Sequence, residues 1–452
     1  MKGLLILYIF FVASVSLMSY KKGVYLVWLT LLFVPTIILE QTIKMRLSME
    51  TILLFGSVVS EMRFEERRMY WKDFFTGNQK AIIAYLFVSV TIVLLSQTVP
   101  LNVQFIHVFE EIVMLLFALQ TFLLVISEER CAFILRRFVC WAIVFNIVYC
   151  VFFEVLVGIN PAGMPLYILL GEDDNQFITD MIDSERGGMS FRAQTVYRHP
   201  LSLGQYMLVM LPLFLMKGKL MLKFIFAFLI CSLIVLSGSR GAMAPMIIVL
   251  FLSFKRNIGA NLRKFALFLV GVAVAISFVP DKQWKQFNRD IEPFVASLQF
   301  WDDQKQYENK IDGSSMEMRF NQFDAALKEI DDNPIFGRGY GYRDYYIYIH
   351  NDLHPDLLGF ESVLLLYLVE RGWFGLFFFF FIAFYIYKLF RKEITDGSTI
   401  RYVFIGYLLS IIMTGVRPLT LLFVCLSCAI AYGISKKQEE QLVANTQLQS
   451  AG

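Results

Sequence analysis

Long apolar segments recur along the whole chain, and they limit what it can fold into. The first, GLLILYIFFVASVSLMS, is followed by further runs near residues 80–98, 107–127 and 138–158. A helical run of about 20 apolar residues matches the hydrocarbon thickness of a bilayer. The sequence is 57% hydrophobic and only 17% charged, so a single water-soluble core cannot bury this apolar surface. We therefore predict an all-α polytopic membrane protein.

Hydropathy predicts about twelve or thirteen transmembrane helices. The predicted spans are near 3–19, 23–39, 47–60, 80–98, 107–127, 138–158, 201–216, 221–237, 241–254, 264–280, 361–388, 401–416 and 418–434. The chain then divides into transmembrane helices over 1–280 with an external loop at 159–200, a large external loop subdomain over 281–358, C-terminal transmembrane helices over 359–434, and a cytoplasmic tail over 435–452.

Positive charge in the short loops predicts which side of the membrane each loop occupies. The basic segments are 61–80, 128–137, 217–223, 255–264 and 388–401. We expect these on the cytoplasmic side, which places residues 159–200 and 281–358 in the periplasm or outside the cell. A count of thirteen helices also puts the N-terminus outside.

The large external segment contains one predicted amphipathic helix, SMEMRFNQFDAALKEIDDN. Its apolar residues recur at helical spacing, as expected for a helix with one buried face. They are Met318, Phe320, Phe323, Ala326, Leu327 and Ile330. Asn333-Pro334 should end the helix, because the residue before a proline leaves helical geometry. The glycines of the following FGRGYGY predict tight turns.

A first cationic cluster precedes Pro200, where a helix is predicted to begin. Arg192, Arg198 and His199 lie in GMSFRAQTVYRHPLSLGQYM. Guanidinium groups near a helix N-terminus are suited to binding phosphate oxygens. The alternative is an interfacial basic patch whose side chains reach the lipid headgroups.

Three more arginines are candidate substrate ligands. Arg240 lies in LSGSRGAMAP, in a short turn between two apolar spans, and an ionisable residue there is a functional candidate. Arg319 is on the amphipathic helix and Arg338 is in the glycine-rich turn. The turn lacks the G-x-x-x-x-G-K-[ST] pattern of a phosphate loop, so we expect this region to shape one wall of an external cavity.

The stretch FESVLLLYLVERGWFG places carboxylates in a predicted membrane helix. Glu361 and Glu370 are nine residues apart and so point to opposite helix faces. Glu361 is predicted at the outer mouth of the helix, beside the loop that carries His350 and His354. Glu370 and Arg371 can pair with each other or cap a helix break before Gly372.

The sequence contains no Asp-x-Asp pattern. A metal-dependent mechanism using a nucleotide sugar therefore has no evident ligands, and we expect neither a metal nor another cofactor.

Taken together, the four clusters resemble the O-antigen ligase/polymerase family of bacterial polysaccharide assembly. The resemblance runs over about residues 190–376 and rests on motif order and spacing. The matching elements are Arg192…His199-Pro200…Gly204, Ser239-Arg240-Gly241, Arg319 followed by ALKEI, NPIFGRGYG, and Glu361…Glu370-Arg371-Gly372…Gly375. Ligase-like members usually have His-Asn where this chain has Glu361-Ser362, which favours a polymerase.

The resemblance implies a GT-C-like fold in the bacterial cytoplasmic membrane, with an active site on the outer face. It also implies that donor and acceptor are oligosaccharides linked to undecaprenyl diphosphate, and that a chain-length regulator can be a partner. In that chemistry the arginines and His199 stabilise the diphosphate. Glu361 is the candidate general base, with His354 or His350 as the alternative. The absence of a second carboxylate as nucleophile predicts inversion at the anomeric carbon.

We thus predict a metal-independent polymerase of lipid-linked repeat units. The alternative within the same class is a ligase that moves finished glycan to a lipid or protein acceptor. A flippase for lipid-linked oligosaccharide is the alternative of another class, and it predicts two repeated halves. The candidate residues instead crowd into the second half of the chain.

Overall fold

Almost all of the chain described by the computed structural model is helical. The described residues are 2–39, 47–96, 98–157, 160–163, 192–197, 199–216, 220–255, 316–343, 345, 362–391, 394, 397–413 and 419–450. The predicted span near 264–280 and most of both predicted external segments lie outside these residues.

Helices of very different length follow one another along the chain. They are α1 (Lys2–Met18), α2 (Tyr20–Phe33), α3 (Thr36–Leu39), α4 (Met49–Glu61), α5 (Glu65–Gly77), α6 (Gln79–Leu95), α7 (Leu101–Ser127), α8 (Glu129–Tyr149), α9 (Pro200–Leu215), α10 (Leu220–Leu236), α11 (Arg240–Lys255), α12 (Met316–Glu329), α13 (Val363–Arg391), α14 (Ser398–Met413) and α15 (Leu419–Ser450). A π-helical segment, Cys150–Val157, continues α8, and a short 3-10 turn covers Pro161–Gly163.

Several helices have the length and composition needed to cross a membrane. Within the described ranges there are four such spans, Leu101–Ser127, Arg130–Val157, Val363–Arg391 and Thr420–Ala444. Helices α5 and α6, bent by 77° at their junction, make a fifth if they are counted as one broken span. Five further apolar helices have 10–17 residues. The predicted all-α polytopic membrane fold is confirmed, whereas the total of about twelve or thirteen spans stays a prediction.

Helix α9 is the most enclosed element of the bundle. Every residue from Ser202 to Phe214 is buried, and the helix packs against α10, α11, α14 and α15. A helix that is apolar on all faces is surrounded by other helices. The N-terminus of α9 carries the first predicted cationic cluster, so this packing holds that cluster against the bundle.

Charged residues mark the ends of the predicted spans, but several helices continue past them. The predicted loop 61–80 contains α5, α8 already begins at Glu129, and α15 continues through the predicted tail to Ser450. Glu, Lys, Arg and Gln are good helix formers, so a polar boundary ends the apolar part of a helix without ending the helix. Hydropathy alone does not show this difference.

The predicted amphipathic helix is confirmed as α12, but its buried face differs from the prediction. Ala326 and Ile330 are buried, together with Gln322 one turn earlier. Phe320 and Phe323 are instead 65% and 41% exposed. The buried stripe packs against α13, where Leu368 and Val369 join the same apolar cluster. The spacing of apolar residues predicted the helix correctly, whereas packing against α13 determines which of its faces is buried.

The segment Asn333–Tyr342, which we call the glycine loop, lies against a break in α13. Two amides of the loop donate to α13 carbonyls, from Arg338 to Val369 at 2.8 Å and from Gly339 to Glu370 at 2.8 Å. Two amides of α13 donate in return, from Trp373 to the Pro334 carbonyl at 2.9 Å and from Phe374 to the Ile335 carbonyl at 3.0 Å. This exchange pairs backbone groups that a helix break would otherwise leave unpaired.

Two glycines make this close approach possible. Gly337 has φ 70° and Gly372 has φ 62°, which is the left-handed region that favours glycine. A Cβ on Gly372 would lie 2.3 Å from the Ile335 carbonyl oxygen, and a Cβ on Gly337 would lie 2.5 Å from the Gly372 nitrogen. The predicted break before Gly372 is therefore present, and the glycine loop fills it.

An ion pair between distant helices stands beside the break. Arg371 donates through Nη1 to Glu111 Oε1 at 3.2 Å and through Nη2 to Glu111 Oε2 at 2.7 Å. The same guanidinium stacks on the rings of Tyr340 and Tyr367, with centroids 4.4 and 4.0 Å away. Arg371 thus pairs with Glu111 of α7, a partner that the sequence does not predict. Burial raises the pKa of the Tyr340 phenol, which keeps this ring neutral.

We expect Glu111→Gln to destabilise the protein more than the double variant Glu111→Gln/Arg371→Gln. The single change leaves a mostly buried guanidinium without its carboxylate, which typically costs on the order of 3–5 kcal/mol. The melting temperature of the purified protein in detergent measures the difference. Lys21→Gln is the control, since it breaks the exposed ion pair with Glu128 and should have little effect. Equal melting temperatures for Glu111→Gln and the control would contradict this role of the ion pair.

Candidate active site

Four of the nine predicted site residues lie outside the described part of the chain. These are Glu361, His350, His354 and Arg198. Arg240 begins α11 and Arg319 lies in α12, and for both only the backbone position is described. Arg192, His199 and Arg338 are described with their side chains.

The segment that carries Arg192 packs directly on the turn that precedes Arg240. Arg192 donates through Nε to the Ser237 carbonyl at 3.2 Å and through Nη2 to the Gly238 carbonyl at 3.4 Å. The Ala193 amide donates to the Leu236 carbonyl at 2.9 Å. Arg192 of the first predicted cluster therefore lies on the turn of the second. The Ser-Gly-Ser turn, residues 237–239, supplies the acceptors that join them.

A close contact between α9 and this turn requires Gly204. A Cβ at this position would lie 2.8 Å from Ser239 Cβ and 2.9 Å from Ser237 Oγ. Real Cβ atoms do not approach other atoms this closely, so any larger residue must displace the turn or the helix. This contact explains why a glycine follows His199-Pro200 at this spacing.

His199 forms the N-cap of α9. Its Nδ1 accepts a hydrogen bond from the Leu201 amide at 3.1 Å, and Pro200 occupies the first helical position, where a missing amide costs nothing. Because Nδ1 acts as an acceptor, a neutral His199 carries its proton on Nε2. The imidazole is thereby fixed at the same helix end that the arginine segment approaches.

The buried carboxylate of Glu154 accepts hydrogen bonds from the backbone of the segment that follows Arg192. Glu154, 5% exposed, accepts at Oε1 from the amides of Thr195 at 2.8 Å and Gln194 at 3.2 Å, and from Asn160 Nδ2 at 2.8 Å. Thr195 has φ 52°, an uncommon value for a residue with a branched side chain. Its hydroxyl donates to Asn146 Oδ1 at 2.5 Å, which helps to stabilise that conformation.

Sequence reasoning missed Glu154, although a signal was present. The residue stands alone in the apolar run CVFFEVLVG, and an isolated carboxylate in such a run is a functional candidate by default. The π-helical segment Cys150–Val157 carries it. Such segments are rare, and they often occur at functional sites. In this protein Glu154 orders the backbone that leads to Arg192 and His199.

Arg338 is bound to carboxylates of its own region. Its Nη2 lies 3.0 Å from Asp332 Oδ2 and its Nε lies 3.5 Å from Glu329 Oε1, and Nε also donates to the Glu329 carbonyl at 2.5 Å. Tyr342 donates to Glu329 Oε1 as well, at 2.5 Å. These contacts satisfy the guanidinium locally and join the glycine loop to the end of α12. The described contacts do not bring Arg338 to the Ser-Gly-Ser turn.

The fold and the site together define a polytopic membrane protein with a cationic segment ordered at helix ends and a glycine loop packed into a broken helix. Residues 225–380 match a family model described as O-antigen ligase. This segment contains the Ser-Gly-Ser turn, α12, the glycine loop and the break in α13. This match to part of the chain supports an O-antigen ligase/polymerase family assignment. No curated protein matches the chain.

We expect Gly204→Ala to lower the melting temperature in detergent. The added methyl group overlaps Ser239 and Ser237, and overpacking of this kind typically costs about 1–3 kcal/mol. Gly56→Ala in α4 is the matched control, because a Cβ there meets no atom within 4 Å. Alanine is the better helix former, so the control should be neutral or stabilising by up to about 1 kcal/mol. Identical shifts for the two variants would show that the contact at Gly204 is not close.

Proposed function

We propose that this protein polymerises oligosaccharide repeat units carried on undecaprenyl diphosphate, on the outer face of the bacterial cytoplasmic membrane. The product would be an O-antigen, a capsular polysaccharide or an exopolysaccharide. The observation that carries the proposal is the packing of Arg192 on the turn that leads into Arg240. The same turn lies close to α9 at Gly204, so the backbone that leads into Arg240 passes beside both Arg192 and α9.

The chemistry of a lipid diphosphate donor calls for such a cluster. Transfer breaks the bond between the anomeric carbon and a diphosphate oxygen, and negative charge develops on the leaving group. Guanidinium groups stabilise that charge through paired hydrogen bonds and need not donate a proton. In this proposal Arg192 and Arg240 are the principal donors, and Arg198, His199 and Arg319 complete the set.

The acceptor hydroxyl of a sugar needs a base. We assign this task to Glu361, with His354 or His350 as the alternative. Glu361 directly precedes Ser362, and α13 begins at the next residue. The Ser362 hydroxyl donates to the Ile411 carbonyl of α14 at 3.2 Å, so this end of α13 lies beside α14. Partial desolvation raises the pKa of a carboxylate, and a general base for a sugar hydroxyl requires such a raised pKa. Direct attack by the activated hydroxyl inverts the anomeric carbon.

A ligase is the second candidate, because the matched family model is described by that activity. Ligase-like relatives usually have a histidine at the position of Glu361, and on that basis we favour polymerisation. The two functions differ in the acceptor. A polymerase extends a second lipid-linked glycan, whereas a ligase moves the glycan to a different lipid or to a protein.

Reconstitution of the purified protein in vesicles with a lipid-linked repeat unit alone tests this choice. We expect a ladder of products that differ by one repeat unit, without any added metal. Product that forms only after a second acceptor is added would identify a ligase. Movement of the lipid-linked unit across the bilayer without new glycosidic bonds would identify a flippase, and both of these results contradict the proposal.

Two substitutions test the assigned residues in the same assay. We expect Glu361→Gln and Arg192→Gln each to lower the rate of polymerisation by about 100-fold or more, the usual scale for losing a general base or a charge-stabilising donor. Glu128→Gln and Lys328→Gln are the controls, since they change exposed side chains and should leave the rate unchanged. Wild-type rates for Glu361→Gln would exclude it as the base, and wild-type rates for Arg192→Gln would exclude the diphosphate cluster.

A further inference from the structure

An apolar groove opens between α6, α7 and α13. Its volume is about 280 Å³, and its walls carry aliphatic side chains from each helix, including Ile82, Leu119 and Ile386. The lining extends from Asn78, which precedes α6, to Leu86 of α6, and over residues 112–122 of α7. At ~1.5 Å per helical residue the groove is roughly 12–15 Å long and runs along the helix axes. All three helices contribute to the spans described above, so the groove lies in the part of the bundle that is apolar enough to cross a membrane.

Helix α5 lies at one end of the groove. It bends away from α6 by 77°, and its residues Phe74 and Phe75 line this end. A hydrogen bond between Tyr385 and Asn78 joins α13 to the bend at the same place. The glycine loop contacts the opposite end of α6, so this end of the groove is remote from it.

The other end leads to polar groups. Tyr85 lines both the groove and a smaller cavity of about 30 Å³, which Ser89, Glu111, Tyr340 and Arg371 also line. Two buried donor atoms at this cavity, Tyr85 Oη and Arg371 Nε, have no hydrogen-bond partner within the described structure. Buried donors without an acceptor cost on the order of 1–3 kcal/mol each, so the cavity is suited to an oxygen atom from a ligand or a water.

We propose that this groove binds part of the isoprenoid chain of a lipid-linked substrate, with the end of the chain nearer the diphosphate towards Tyr85. The polarity changes in the direction that such a molecule requires, from an end lined by Phe74 and Phe75 to hydrogen-bond donors near the glycine loop. One continuous groove suits a lipid with a single chain better than a phospholipid with two. This inference rests on the proposed function, because the proposed function is what makes an isoprenoid lipid the substrate.

Photolabelling of the full-length protein with an undecaprenyl diphosphate that carries a diazirine in its chain tests the groove. We expect labelled peptides from α6, α7 and α13. We also expect labelling to fall by about tenfold or more in Ile82→Trp, because the larger side chain fills the groove. Leu119→Trp, on the opposite wall, should have the same effect. Ile83→Trp is the matched control, since Ile83 is the next residue of α6, is 55% exposed and does not line the groove.

Two results would overturn the proposal. One is equal labelling of Ile82→Trp, Leu119→Trp and Ile83→Trp. The other is displacement of the probe by phosphatidylglycerol as effectively as by unlabelled undecaprenyl diphosphate, which would show that the groove holds ordinary membrane lipid. The polymerisation assay separates this inference from the proposed function. Labelling in the groove without polymer from the wild-type protein would contradict the function alone, and polymer with labels elsewhere would contradict the groove alone.

Discussion

The packing of the glycine loop into the break of α13 is the contact on which the rest of the structure depends. A helix break near the hydrocarbon region exposes backbone groups that lipid cannot satisfy, so those groups must pair inside the protein. Here they pair with the loop, whose own turns also need partners. The exchange of four backbone hydrogen bonds therefore satisfies polar groups of both the helix break and the loop. It also joins the segment beyond α12 to the transmembrane bundle. The glycines are required because side chains would separate the two backbones.

Two carboxylates, Glu111 partly buried and Glu154 buried, complete this arrangement. Glu111 holds Arg371 beside the break, and Glu154 holds the backbone that carries Arg192. In both cases a charged group inside an apolar helix accepts hydrogen bonds from a segment that is distant in sequence. A group of this kind is costly to bury alone and stable when paired, so it specifies one partner strongly. The two carboxylates thus order the break in α13 and the segment that carries Arg192, and we assign neither of them a direct role in the proposed transfer.

The elements of the fold were predictable because hydropathy and helical periodicity are local properties. The positions of α7, α12 and α13 follow from residue spacing, and the break before Gly372 follows from its glycine. The buried face of α12 did not follow, because Phe320 and Phe323 are as apolar as Ala326 and Ile330. What decided between these faces was tertiary packing, because Ala326 and Ile330 are buried in one cluster with Leu368 and Val369 of α13. Likewise, the Ser-Gly-Ser turn looked unremarkable beside Arg240, and only packing revealed its carbonyls as acceptors for Arg192.

The sequence by itself determined the membrane class, the order of the helices and the segments in which cationic and acidic residues collect. These properties depend on composition and on neighbours within a few turns of one helix. The tertiary structure alone decided the partners. Arg371 pairs with Glu111, which is 260 residues away, although Glu370 is adjacent. The same sequence is compatible with many pairings of charged and polar residues. The packing of the helices determines which of these pairings form.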